Sequence, residues 1–135
     1  MYEPRTYRDW IKDKDLVSFN VIVKETDLHI RARSNLEAQA LESIRKVRQP
    51  LEEYIKGHPD FYHSLEPVEV EEDAPFIVKD MAEAAEIAAV GPMAAVAGAV
   101  AEAVGRDLLQ YSAEIIVENG GDIFLKTTKK RKVGI

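Results

Sequence analysis

The feature that most constrains this chain is the run 87–101, in which no side chain carries a charge. Such a run must leave water, either for lipid or for the interior of a protein. It covers about fifteen residues where a helical span needs about twenty, and it contains Gly91-Pro92. It is also mostly alanine and glycine, which partition weakly into lipid. The expectation is therefore a helix buried in protein. Pro92 suits a first helical turn, and Met93, Val96, Ala97, Val100, Val104 and Leu108 then form one apolar stripe. The far side carries Ala94, Ala95, Gly98, Ala99 and Ala103, so neighbouring elements can approach closely on both faces and the helix is central. Upstream, Asp80-Met81-Ala82-Glu83 has the spacing of a capped helix start. It predicts an alanine-rich helix from there to about Val90, which Gly91 interrupts.

The remaining periodicities supply what packs around that helix. Apolar residues recur at every second position at Val17, Phe19, Val21 and Val23, and again at Leu28, Ile30 and Ala32, with Glu25-Thr26-Asp27 between the two runs. Period two on both sides of a short polar link predicts a β-hairpin with one buried face. The opposite face, with Ser18, Asn20, Lys24, His29, Arg31 and Arg33, reads as a solvated sheet surface. Ser34-Asn35-Leu36-Glu37 is a capping-box pattern. From it a helix with Leu36, Ala40, Ile44, Val47, Leu51 and Tyr54 or Ile55 on one stripe runs through Pro50, with a kink, to Lys56-Gly57. Residues 58–74 read as a surface loop with an acidic cluster. Near the end, Ile115-Ile116-Val117 and Ile123-Phe124-Leu125 are apolar at successive positions, which predicts burial on both faces. The expected fold is α+β, a mixed or antiparallel sheet packed on two or three helices, in one domain over residues 1–135.

Charge and composition narrow the function. The formal charge of -6 and pI near 5.1 argue against nucleic acid or an anionic membrane as the main partner. The basic tail at 126–132 reads as a frayed, solvated strand end. There is no cysteine, which excludes disulfides and thiol chemistry. No signal-type apolar run occupies the first residues, so a cytoplasmic protein is expected. His29, His58 and His63 lack the helical spacing of a zinc site, and no metal site is assigned to them.

Two places have the make-up of a ligand site. The helix start at Gly91, Pro92 and Met93 offers free amides and a positive dipole end to an anion, with a helix-to-helix turn as the alternative. The segment Glu118-Asn119-Gly120-Gly121-Asp122 links two apolar strands through a bend flanked by carboxylates, although Asn-Gly is also a favoured hairpin turn. A small anionic ligand, of phosphate or flavin type, is expected between them.

Three stretches together resemble an uncharacterised family of ApbE-like proteins. These are Glu25-Thr26-Asp27-Leu28, the run from Gly91-Pro92-Met93 to Ala101-Glu102, and Val117-Glu118-Asn119-Gly120-Gly121-Asp122-Ile123. The resemblance extends from Arg5-Thr6-Tyr7-Arg8 almost to the last residue. ApbE-like enzymes use FAD and magnesium to attach FMN to a protein, and flavin and magnesium are the cofactors the resemblance implies. Ala89 and Gly91 match the opening of the family's helix, and Gly120-Gly121 match its glycine pair. Val90 stands at the lysine position, Ala95 at the aspartate position and Glu118 at the asparagine position. Family members also continue for a comparable length beyond this point, so the chain resembles the N-terminal half. The resemblance further implies a place in anaerobic sulfur assimilation toward homocysteine. The alternative is a non-catalytic structural or subunit-interaction protein, and a homodimer is compatible with either.

Overall fold

The computed structural model describes residues 15–128. The basic run at 129–132, the Arg5–Arg8 stretch and the first residues lie outside them. The first hairpin forms as its alternation dictates. β1 (Val17–Val23) and β2 (Thr26–Ala32) pair antiparallel, with Phe19 opposite Ile30 and Val21 opposite Leu28. All four are buried, along with Ala32. The link is one residue earlier than expected. Val23 pairs with Thr26, so the turn is Lys24-Glu25, with Lys24 in the left-handed region at φ 53°.

α1 (Glu37–Gly57) runs unbroken through Pro50 and ends before Pro59. Its start departs from the capping box. Leu36 occupies the cap position, and the Asn35 side-chain Oδ1 accepts a hydrogen bond from the Glu37 amide at 2.9 Å. An asparagine side chain satisfies the amide two residues on as readily as a serine three residues away. Within the expected loop lies a single turn, α2 (Pro59–His63), opened by Pro59 and anchored by buried Phe61.

α3 (Phe76–Ala88) begins before Asp80, because Ile77 and Val78 extend the stripe of Met81, Ala82 and Ala85 and all five are buried. Core burial here outweighs the cap-like spacing, and Asp80 lies inside the helix. Ala89 closes it in the left-handed region, at φ 58°. The chain then bends by 103°. A 3-10 turn (Pro92–Ala95) precedes α4 (Val96–Leu108), so the helix expected from Pro92 is divided in two. Among the described residues no single helix is long and apolar enough to cross a membrane.

β3 (Ile115–Asn119) and β4 (Asp122–Lys126) complete an antiparallel sheet in the order β1-β2-β3-β4. β2 and β3 join the two hairpins through Ile30 opposite Val117. β3 is buried on both faces, as expected, whereas β4 is an edge strand left half-exposed. The helices cover one face, α1 against β1 and α4 against β3 and β4. The small-residue side of α4 receives β4: a Cβ on Gly105 would lie 2.1 Å from the Phe124 ring. The other face is not simply solvated. Arg31, Glu114 and Glu118 are buried there, and Leu16, Ile116 and Ile123 form a second small apolar cluster. Glu114 also clamps the strand ends, accepting from the Arg33 guanidinium at 3.2 Å and the Thr128 amide at 3.1 Å. The architecture is α+β, with four α-helices among the described residues where two or three were expected; the short α2 is the addition.

Candidate functional site

Three elements enclose a cleft of about 500 Å3: the β1–β2 turn, the second half of α1, and the chain from the 3-10 turn into α4. That volume lies within the range of small-ligand pockets. Its floor is apolar. Leu51 and Ile55 project from successive turns of α1, and Met93, Val96 and Val100 face them from the other side. Its rim is polar, with Glu25, Thr26, Arg48, Glu52 and Asn119, and Tyr62 of α2 also lines it.

Arg48 organises the rim. It lies one turn after Ile44 and three residues before Leu51, so the helix carries its side chain on the apolar stripe, and it is only 12% exposed. Its Nε donates to Glu52 at 3.0 Å, one Nη to Glu25 at 2.8 Å and the other to the Thr26 hydroxyl. Lys24 reaches the second Glu52 oxygen at 2.8 Å. Burial works against the Arg48 charge, but the Glu25 and Glu52 carboxylates outweigh it and hold its pKa above the ordinary value. The Arg48 hydrogen bond in turn lowers the Glu25 pKa, and the Lys24 hydrogen bond lowers that of Glu52. Arg48 is thus a fixed cation at the edge of an apolar pocket. A short distance along the same helix, burial and then Glu71 push the Tyr54 hydroxyl up to about 12. Its hydroxyl donates to Glu71 at 2.7 Å and ties the 64–75 segment to α1.

The residues singled out in the sequence divide between several places. Met93 and Asn119 share the cleft. Asn119 donates from its side-chain amide to the Ala97 carbonyl at 3.1 Å, which couples β3 to the first turn of α4. Gly91 and Pro92 are buried behind Met93. Gly91 takes an ordinary extended conformation, and a Cβ there would sit 1.8 Å from the Ser64 carbonyl oxygen. Backbone from the 64–75 segment covers the space its missing side chain opens. Glu118 neighbours Asn119 in β3, so the pleat turns it to the opposite face of the sheet, where it is 1% exposed. Gly120, at φ 62°, and Gly121 form an exposed two-residue turn, and Asp122 returns along β4 beside Gly98.

Sequence reading missed Arg48, Thr26 and Glu52. A signal was present, since Arg48 is a charge placed on an apolar stripe, and Glu25-Thr26 belongs to a stretch that carried the family resemblance. Among the described residues no three histidine or carboxylate side chains converge to hold a metal. They do not by themselves supply the oxygen cage a magnesium ion takes.

The family model described as AbpE bacteria matches residues 8–135. A UPF0280 protein of Methanocaldococcus jannaschii is 47% identical over 116 residues, covering 85% of this chain and 47% of that protein. UPF0280 proteins of Methanococcus aeolicus and Methanopyrus kandleri are 40% and 38% identical over 122 and 121 residues, each match covering 89% of this chain and 49% of the relative. The chain therefore spans about half the length of the curated relatives it matches. The family match takes in both hairpins, every helix between them and all the rim residues of the cleft, and the chain belongs to this AbpE bacteria family of uncharacterised UPF0280 proteins.

Proposed function

We propose that the cleft binds a small anionic ligand of phosphate or flavin type, with the acidic group at Arg48 and Thr26 and the apolar body on Leu51, Ile55, Met93 and Val96. The observation that carries this reading is a nearly buried guanidinium at the rim of an apolar pocket of about 500 Å3. Arginine suits such a group because its planar fork donates two parallel hydrogen bonds to carboxylate or phosphate oxygens. The Met93 and Asn119 positions of the expected site contribute to this wall; the remaining expected ligand residues, Gly91, Pro92, Glu118, Gly120, Gly121 and Asp122, would support it from behind or beside. Calorimetric titration with FMN, with native mass spectrometry for any copurifying molecule, tests the reading. Arg48→Gln should weaken FMN by about tenfold or more, since a hydrogen bond to a charged group contributes about 1.5–3 kcal/mol. Unchanged affinity in Arg48→Gln would refute the assignment.

The family resemblance supports a cytoplasmic setting in anaerobic sulfur assimilation toward homocysteine. A deletion strain that grows on sulfide without homocysteine or methionine would count against it. In relatives of twice this length, we infer that the remaining residues complete the same domain.

A second reading, a non-catalytic subunit or scaffold, is favoured by the outer face of α3. Phe76 is 80% and Ile87 83% exposed there, and apolar side chains of that size on one face suit a protein interface. Sedimentation analysis of the parent and a Phe76→Ser, Ile87→Ser double variant separates the two. An assembly that dissociates in the variant, in a protein without affinity for FMN, supports the scaffold.

A further inference from the structure

The turn that carries Glu25 is built against the cleft in an unusual way. It has two residues, and Lys24 adopts a left-handed conformation without being glycine. Both are tied to α1, Lys24 through Glu52 and Glu25 through Arg48, each at 2.8 Å. The three groups on the Arg48 guanidinium are not equivalent. Thr26 is buried in β2, and Glu52 lies one turn along the same helix, so their elements fix both. Glu25 is 79% exposed at the cleft rim. Its carboxylate can leave Arg48 for water with little change in solvation.

We propose that Glu25 is a built-in competitor for the acidic group of the cleft's ligand, holding one Arg48 Nη until that group replaces it. This rests on the reading of the cleft as an anion site and adds an exchange step to it. Charge supports the exchange. With Glu25 in place, Arg48, Lys24, Glu25 and Glu52 sum to zero; with Glu25 swung away, the other three leave one net positive charge facing the pocket. The incoming oxygen takes the N–H that Glu25 gives up, so the guanidinium keeps a partner on each nitrogen. An unpaired buried charge, the costly alternative, does not arise. The ligand class that follows is an apolar or aromatic body bearing an acidic group at one end, with neutral analogues indifferent to Glu25.

FMN and riboflavin share one ring system and differ by a phosphate, which makes them the probes. Calorimetric titration of the parent, Glu25→Gln and Glu25→Ala should show FMN tightening roughly three- to fivefold in the variants, the scale of a partly exposed ion pair. Riboflavin affinity should stay unchanged, and the FMN gain should shrink as salt is raised. Thermal melts without ligand check that both variants fold. FMN affinity that is equal to or weaker than the parent's in both variants, with Arg48→Gln still weakening FMN by about tenfold or more, overturns the competitor and leaves the cleft reading standing. Equal tightening of FMN and riboflavin also overturns it, because the effect would then be steric. FMN failing to bind the parent and Glu25→Ala alike overturns the competitor and the cleft reading together.

Discussion

At the scale of single residues, Gly91 shows how one position can be recognised correctly for the wrong reason. Its place between two helical stripes marks a break, and a break is there. The reason for glycine is the Ser64 carbonyl, 1.8 Å from where a Cβ would sit. Backbone cannot move aside as a side-chain tip does, so Gly91→Ala should destabilise by about 1–3 kcal/mol, the usual cost of overpacking. Gly121→Ala is the control: a Cβ there meets nothing within 4 Å and its φ is ordinary, so its melt should match the parent's. Denaturant unfolding of the two variants checks both. Sequence could not reveal Ser64 as the partner, since the 64–75 segment follows no period that would place it against Gly91. Arg48 is the opposite case. Its spacing put it on a buried stripe, but Glu25 and Thr26, which hold its guanidinium, come from the first hairpin, and a helix pattern says nothing about what lies across from it.

Between elements, local signals and core burial compete, and Asp80 shows which prevails. Asp80-Met81-Ala82-Glu83 imitates a helix start, yet burial of Ile77 and Val78 begins α3 earlier and leaves Asp80 half-buried against α4. Burial, then the charges of Glu102 and Glu83, raise its pKa, with Arg106 pulling the other way. A carboxyl whose pKa is raised by folding stabilises the fold only while protonated. That contribution is present below the unfolded pKa and disappears as pH rises through the folded one. At pH 7 the charged Asp80 is therefore a net cost. Asp80→Asn should raise the melting temperature at pH 7, by an amount equivalent to about 0.5 kcal/mol after screening of a partly exposed group. The advantage should vanish in melts at pH 3. The hairpins were more legible, because period two has no rival reading: Phe19, Val21, Leu28 and Ile30 all fell on the expected face. Where alternation was absent, in β4, the apolar run promised more burial than an edge strand receives.

For the whole molecule, acid should loosen the joint between the first hairpin and α1. Glu25 and Glu52 both have pKa values lowered below 4.5, by hydrogen bonds from Arg48 and Lys24 respectively. Glu71, which joins the 64–75 segment to Tyr54, is lowered by that hydroxyl. Groups of this kind stabilise the fold above their unfolded pKa and lose that contribution as pH falls through the folded value. The melting temperature should hold from pH 7 to about 5 and then fall below the ordinary carboxylate range, more steeply than in a Glu25→Gln, Glu52→Gln, Glu71→Gln variant. A pH series of calorimetric melts measures this. The sheet itself bears on how the molecule forms. Its strands are ordered as they occur in the chain, yet all the helices among the described residues are inserted between β2 and β3. Each hairpin can close on its own within microseconds, but the ladder from Ala32 to Ile115 must wait for the helices to draw its ends together. The cleft has walls from both sides of that insertion, Thr26 from the early hairpin and Asn119 from the late one. A newly made chain therefore completes its cleft only when the two hairpins join, at the end of folding, so the space between them is a late product of assembly.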